Sequence, residues 1–554
     1  MDVRNSRVKF YLFLLLVIVV PLFSLGLSNH GLWTADEPRV AEIGREMALN
    51  GNWSVPMLNQ RPFLEQPPLY YASIAVAFKA LGGPSDKIAR IPSALFALGG
   101  VLALFFLGNM FFGPRIGFLS AFIMATCGEY FRVAHWVIVD SALACFILLA
   151  LTFFIAAYFN QDRRKEIIFY GLFYVSCTLA FFTKGFIGIA IPGLAALTFL
   201  AFKRNWKEII TMQPWLGVVV FLVMALPWFS ALYEQGGTDF LKVFFLRNHF
   251  ERFAGGSTGH NQPFYYYLTQ FPAGFLPWSL LIIPTFFRAF RKTAASDERS
   301  ESGLLFAKCW FIAGFVLLSV ASTKRILYLM PLFAPISLLT AWYIDKTLKR
   351  SSFGWLERLF SFIFGLMPLL LALATIPLYI YLSQKYALVT SWQGTGLIVA
   401  FSLAASVLAL AGLWGLGKRH MARFWTFSAA SLLSLLFLGL AALFPLLDQK
   451  KSFVPFCNDI TATVPATAKL YAYKPDETLR GAVPFYTARF LIEIESLPSL
   501  LEAADREKVM FVVVRDSKGR QEREILSTGR FSVLSRRGDR DRSLVIFAGK
   551  PTFP

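Results

Sequence analysis

Apolar runs of about twenty residues, separated by short polar turns, fill the first 450 residues of the chain. A run of roughly 20 apolar residues is long enough to cross the hydrocarbon of a bilayer as a helix. Thirteen such runs are read here, near 9–28, 88–111, 115–131, 136–158, 167–183, 186–203, 212–233, 265–288, 303–322, 325–345, 356–382, 393–416 and 423–445. The run at 115–131 is the least regular, being short and carrying Gly128 and Glu129. Two longer polar stretches interrupt the ladder. Within 29–87, PRVAEIGREMAL (38–49) has helical periodicity behind a first-turn proline, and PPLYYASIAVAFKAL (67–81) is a second short apolar helix. Both are expected to lie in the membrane interface. The second stretch, 234–264, reads as a loop that orders over a substrate.

After about residue 450 the pattern changes. KVMFVVVRD and SLVIFAGK read as buried strands, and SLPSLLEAADREK as a helix between strands. The predicted architecture is an α-helical polytopic membrane domain over 1–450, followed by a small α/β domain over 451–554. That second domain carries no glycine-rich nucleotide loop and no catalytic triad.

Charge orients the ladder. With the N-terminus in the cytoplasm, every inside turn is basic: Arg115; Arg163, Arg164 and Lys165; Lys203, Arg204 and Lys207; Arg288, Arg291 and Lys292; Lys346, Lys349 and Arg350; Lys418, Arg419 and Arg423. An odd number of spans then places the C-terminal domain on the outer, periplasmic side. Composition agrees with this class: 56% of residues are hydrophobic and Phe alone supplies 58. The formal charge of +20 is explained by basic turns meeting anionic lipid, so nucleic acid is not an expected partner. Four of the five cysteines, Cys127, Cys145, Cys177 and Cys309, sit in apolar runs and Cys457 stands apart, which gives no metal or disulfide spacing. The basic start and long apolar run at 1–27 lack a cleavage site and read as a retained first span.

The same topology gathers unusual polar residues at the outer mouth: Asp36, Glu37, Glu65, Asp140, Lys184, His249, Arg252, Lys324 and Arg325. Ionisable groups at membrane depth are costly, and a cluster of them marks a functional site. Asp36 and Glu37, in TADEPRVAEIGREM, are an N-cap or a general base. Asp140, in HWVIVDSALACF, falls about four residues into its predicted helix, late for a role at the helix dipole. Glu65 and Gln66 are stiffened by Pro67 and Pro68. Lys184, in FFTKG, and Lys324 and Arg325, which stand just before Tyr328 in STKRILYLMP, break the positive-inside pattern. They are lipid-snorkelling cations or a phosphate pocket. His249 either pairs with a carboxylate or joins Glu65 at a metal.

These segments, with NHFERF and HNQPFYYYL, follow in an order that resembles the bacterial aminoarabinose transferases of lipid A and the wider protein O-mannosyltransferase-like, GT-C class. The resemblance covers the membrane part. It implies a sugar carried on undecaprenyl phosphate and transferred on the periplasmic face of the inner membrane to lipid A or another envelope acceptor. It implies essential carboxylates at Asp36 and Asp140, and lipid-phosphate ligands at Lys184, Arg252 and Tyr328. It fixes no cofactor, though some relatives hold a divalent metal, zinc or magnesium, near the positions of Glu65 and His249. One position departs: the aminoarabinose transferases carry Lys after the Glu, and this chain has Gln66. The expected assembly is a monomer. Two rivals are a lipid or sugar-phosphate transporter, which would need mid-membrane sites and structural repeats, and a protein O-glycosyltransferase.

Overall fold

The computed structural model describes residues 2–33, 36–251, 261–291, 297–349, 354–386, 388–538 and 543–549. The chain divides into two compact units. One comprises Met1–Leu27, Leu64–Tyr70 and Ile91–Leu446; the other comprises Ser28–Phe63, Tyr71–Arg90 and Leu447–Pro554. The boundary read at 450 lies close to the division between Leu446 and Leu447. Most of the 29–87 stretch groups with the C-terminal residues instead of with the spans.

The first unit is a helical bundle. Among the described residues ten helices are long and apolar enough to cross a membrane, and two bent pairs raise the number to twelve. The bent pairs, Pro114–Thr126 with Gly128–Ala134 (73°) and Tyr266–Gly274 with Trp278–Phe290 (111°), stand where single spans were read at 115–131 and 265–288. The thirteenth segment is the 17-residue apolar helix Ile187–Lys203. The helix from Pro214 runs on through Lys242 and passes into a π-helical turn, Val243–Glu251. The first half of the stretch read as a loop at 234–264 is thus helical. Gly237, at φ 62° and ψ −153°, is not helical and parts it into two helices that meet at a kink.

Packing explains the phenylalanine content. Phe154, Phe199 and Phe306 meet with ring centroids 5.4–6.3 Å apart. Phe111 joins them through Phe306 at 5.7 Å. Close helix approach is set by small residues. A Cβ on Gly108 would stand 2.8 Å from the Cα of Gly117, so the helices Asp86–Phe112 and Pro114–Thr126 can touch only because both positions lack side chains. All five cysteines are free and buried.

The second unit is built on a five-stranded sheet in the order Ile492–Ile494, Leu470–Tyr473, Met510–Asp516, Ser543–Gly549, Phe531–Arg537. The first two pairings are parallel and the last two antiparallel. Met510–Asp516 and Ser543–Gly549 are the strands read from the sequence, and Leu497–Arg506 is the helix. The helix Asp36–Asn50 packs against Glu477–Thr487 so closely that a Cβ on Gly481 would lie 2.5 Å from the Arg39 nitrogen. Asn59 fixes the short hairpin beside it. Its amide nitrogen donates to the carbonyl of Leu491 (2.9 Å) and to Glu493 (2.8 Å), while its backbone N–H donates to Glu46 (2.6 Å).

Candidate functional site

In the first unit, two consecutive helices, Asp140–Tyr158 and Arg163–Lys184, are joined by a turn of four residues and run antiparallel. The first residue of one therefore lies beside the last residue of the other. Lys184 Nζ donates to Asp140 Oδ1 at 2.5 Å, and the same ammonium sits 4.3 Å from the centre of the Tyr328 ring. Each charge occupies the favourable end of its helix: the carboxylate at an N-terminus, the ammonium at a C-terminus. The helix starts at Asp140 itself, not at 136, so the dipole role judged too late from the sequence is available to it. Asp140 is 2% exposed, and ionised groups that deep are tolerated only when paired. Tyr267, fully buried, is close enough to interact electrostatically with both Asp140 and Tyr328.

Glu65 and Gln66 are half-buried at a bend before Pro67 and Pro68. Asn248 Nδ2 donates to the carbonyl of Leu64 (2.9 Å), which brings the Glu65 segment against the π-helical turn. His249 follows Asn248, but its side chain lies outside the described residues, as does Arg252 altogether. Among the described residues no group of three His, Cys, Asp or Glu side chains stands together as a metal would require. The residues in view therefore do not supply the ligand set of the divalent metal drawn from the resemblance.

Lys324 is 4% exposed, and its ammonium is turned to backbone, donating to the carbonyls of Gln262 (3.0 Å) and Ala321. It ties the end of the helix Glu298–Val320 to the segment at 262. Arg325 precedes the 3-10 turn Ile326–Leu329, and its carbonyl accepts the Tyr328 N–H (3.0 Å), so this turn orients the Tyr328 ring.

In the second unit, Asp36 opens the helix Asp36–Asn50 and accepts from Arg39 Nη2 at 2.8 Å; Arg39 also pairs with Glu477. Glu37 is differently placed. One of its oxygens accepts the Trp33 N–H (2.7 Å), and Arg90 approaches both oxygens at 3.1 and 3.3 Å. Arg90, 0% exposed, also donates to the carbonyls of His30 (2.8 Å) and Gly31 (2.7 Å). Glu37 thus anchors the chain before its helix, while the adjacent Asp36 is the more open of the two. The sequence reading missed Arg90, although an arginine at an outer helix end breaks the positive-inside pattern just as Lys184 does. It also missed Tyr267, one of three tyrosines in HNQPFYYYL.

The first unit is thus a helical bundle with a buried carboxylate at one helix end, paired with a half-buried lysine that sits over a tyrosine ring. The description of the dolichyl-phosphate-mannose-protein mannosyltransferase family matches residues 65–230. An undecaprenyl phosphate-α-4-amino-4-deoxy-L-arabinose arabinosyl transferase of Pseudomonas fluorescens is 30% identical over 390 residues, 68% of this chain and 67% of that protein. This chain belongs to that family.

The transferase of the same name from Erwinia tasmaniensis is 31% identical over 343 residues, 62% of this chain, and the match spans 60% of its length. The one from Edwardsiella ictaluri is 28% identical over 445 residues, 79% of this chain and 78% of that one. The fold is that of ArnT from Cupriavidus metallidurans, crystallised bound to undecaprenyl phosphate: TM-score 0.78 and 19% identity, covering 97% of this chain and 98% of that one. The chain is a multi-pass membrane glycosyltransferase of the GT-C type from a bacterial inner membrane. The transporter reading falls with that assignment.

Proposed function

We propose that this protein moves 4-amino-4-deoxy-L-arabinose from undecaprenyl phosphate to lipid A on the periplasmic face of the inner membrane. The observation that carries the proposal is the Asp140–Lys184–Tyr328 group, in which the carboxylate is buried and the ammonium and phenol ring are half-buried. A paired ammonium in a low-dielectric site can turn to the donor phosphate when it arrives. It then stabilises the charge that gathers on that phosphate as it leaves. Asp140 holds the ammonium in place beforehand and, once relieved of it, offers a carboxylate to the amino group of the sugar. An oxygen of the acceptor attacks the anomeric carbon, the bond from that carbon to the phosphate oxygen breaks, and its electrons stay on undecaprenyl phosphate. A single displacement inverts the anomeric centre. An acceptor phosphate is already ionised and needs no base. An acceptor hydroxyl would give its proton to a carboxylate, with Asp36 proposed for that role. Tyr328 steadies Lys184, and Arg252 and Arg325 are proposed as further phosphate contacts. Glu37 and Lys324, whose polar atoms are engaged with Arg90 and with backbone carbonyls, are assigned to support.

Gln66 favours a second reading. An amide where the relatives of the resemblance carry lysine is one cation fewer for phosphate and one hydrogen-bonding group more for a sugar, so a different sugar or a protein acceptor fits this position. The two are separated by incubating purified protein with undecaprenyl-phosphate aminoarabinose and lipid A, and by comparing lipid A and envelope glycoproteins from cells with and without the gene by mass spectrometry. The expected result is a lipid A mass increase of one aminopentose residue, abolished by Asp140→Asn and by Asp36→Asn. Unchanged lipid A with altered glycoproteins would replace the acceptor, and full transfer by Asp140→Asn would remove that carboxylate from the chemistry.

A further inference from the structure

Asp140 begins its helix with no side-chain cap beneath it: the preceding Val139 makes none. Something else must hold the turn that aims the carboxylate. Ser93 does so. It lies one helical turn beyond Arg90 in the helix Asp86–Phe112 and is 0% exposed. Its Oγ lies 3.4 Å from the carbonyl of Ile138, 3.5 Å from the Ile138 nitrogen and 3.3 Å from Ser141 Oγ. Ser141 itself donates to the Ile138 carbonyl at 3.0 Å. The fourth partner is the hydroxyl of Tyr70, also 0% exposed, in a short hydrogen bond to Ser93 Oγ. Tyr70 is five residues beyond Glu65, on the segment stiffened by Pro67 and Pro68. One buried hydroxyl thus joins the turn that carries Asp140 to the segment that carries Glu65 and Gln66.

We propose that Ser93, with Tyr70, is a positioning residue for Asp140, setting the carboxylate's direction and its register with the Glu65–Gln66 segment. The inference rests on Asp140 acting in transfer, as proposed above. An error of an ångström in such a group costs on the order of 10–100-fold in turnover without loss of binding. The test uses the full-length protein in nanodiscs. Ser93→Ala, Tyr70→Phe, the double variant and Asp140→Asn are compared for kcat, donor KM and thermal unfolding. Ser93→Ala is expected to lower kcat by about 10–100-fold with donor KM within about twofold of the parent. Tyr70→Phe keeps the packed ring, so it preserves the unfolding temperature and still lowers kcat, and the double variant is no slower than the worse single one. Parental kcat in Ser93→Ala and Tyr70→Phe beside an inactive Asp140→Asn overturns this inference alone, as does a raised KM at constant kcat. If Ser93→Ala does not fold, Tyr70→Phe decides by the same criteria. An active Asp140→Asn overturns the underlying reading, and this inference with it.

Discussion

Asp140 and Lys184 are 44 residues apart in sequence, yet their meeting was close to readable. Two helices of 19 and 22 residues with a four-residue turn must return the chain to where it started. A charged residue at each far end then has the other as its neighbour. What the sequence hides is how completely the pair is withdrawn from water: the side chains are 3% and 15% exposed. That burial sets the consequence of breaking it. Lys184→Ala leaves a buried carboxylate without its ammonium, which costs about 3–5 kcal/mol in comparable pairs. Lys184→Ala combined with Asp140→Ala removes both charges and is expected to recover a substantial part of that loss. Denaturant or thermal unfolding of the single and double variants measures the coupling. A double variant no more stable than Lys184→Ala would mean that the stranded charge is not the source of the loss. Glu37 makes the contrasting case. The sequence marks it as an equal of Asp36, and only the partners separate the two: Trp33 and Arg90 for Glu37, Arg39 for Asp36. Arg90 stands 53 residues away in the chain, and no local pattern pairs the two.

At the scale of elements, the helix Asp36–Asn50 was legible from its periodicity and Pro38, whereas its inner face was not. That face buries Glu42, Arg45 and Glu46 together. Arg45 forks onto Glu42 at 2.6 and 2.7 Å, and Glu46 accepts the backbone N–H groups of Asn59 and Gln60. A helical wheel assigns such residues to solvent; here the Met57–Pro62 hairpin and the strand at Ile492–Ile494 cover them. Burial pushes the Glu42 carboxyl up to about 8, against the downward pull of Arg45, and pushes Glu46 up as well. The sign of the pH effect follows. Between the ordinary carboxylate range and about 8, the folded protein holds a proton on Glu42 that the unfolded chain releases. Stability therefore falls as pH rises through that window and levels off above it. The unfolding temperature of the purified protein is expected to be lower at pH 8 than at pH 5.5, and Glu42→Gln to shrink that difference whatever its effect on the mean. An unchanged pH slope in the variant would assign the dependence to other groups.

For the whole molecule, the apolar ladder gave the membrane class and nearly every helix, because roughly twenty apolar residues in a row have few other uses. It could not give the second unit's membership. Residues 28–63 and 71–90 join the residues after 446 through contacts more than 400 positions apart, such as Gly31 to Asp448 (2.8 Å) and Tyr486 to Asp86 (2.9 Å). Nor could it distinguish a straight span from a bent one, since bending at Cys127 or near Phe275 leaves composition unchanged. That ambiguity matters for orientation. If either bent pair is re-entrant, or if Ile187–Lys203 does not cross, every later turn changes sides. The charges argue that all three do cross. Losing one would move Arg288 and Arg291, Lys346 and Lys349, and Lys418 and Arg419 to the outer face, against the bias that sets topology. With the basic turns inside, thirteen crossings would leave the N-terminus inside and the residues after 450 outside. A reporter active only in the periplasm is therefore expected to work when fused after Lys450 and to be silent when inserted within 289–302. An additional fusion in the turn at 203–207 should also be silent, which separates the short helix and the 73° pair, both before that turn, from the 111° pair after it. An active reporter at 289–302 with a silent one at 203–207 would show that one crossing between those turns is missing, most simply because the 111° pair is re-entrant. Activity at both inner turns would place the missing crossing before residue 203 and move Tyr328 to the inner face, against the outward placement on which periplasmic transfer depends.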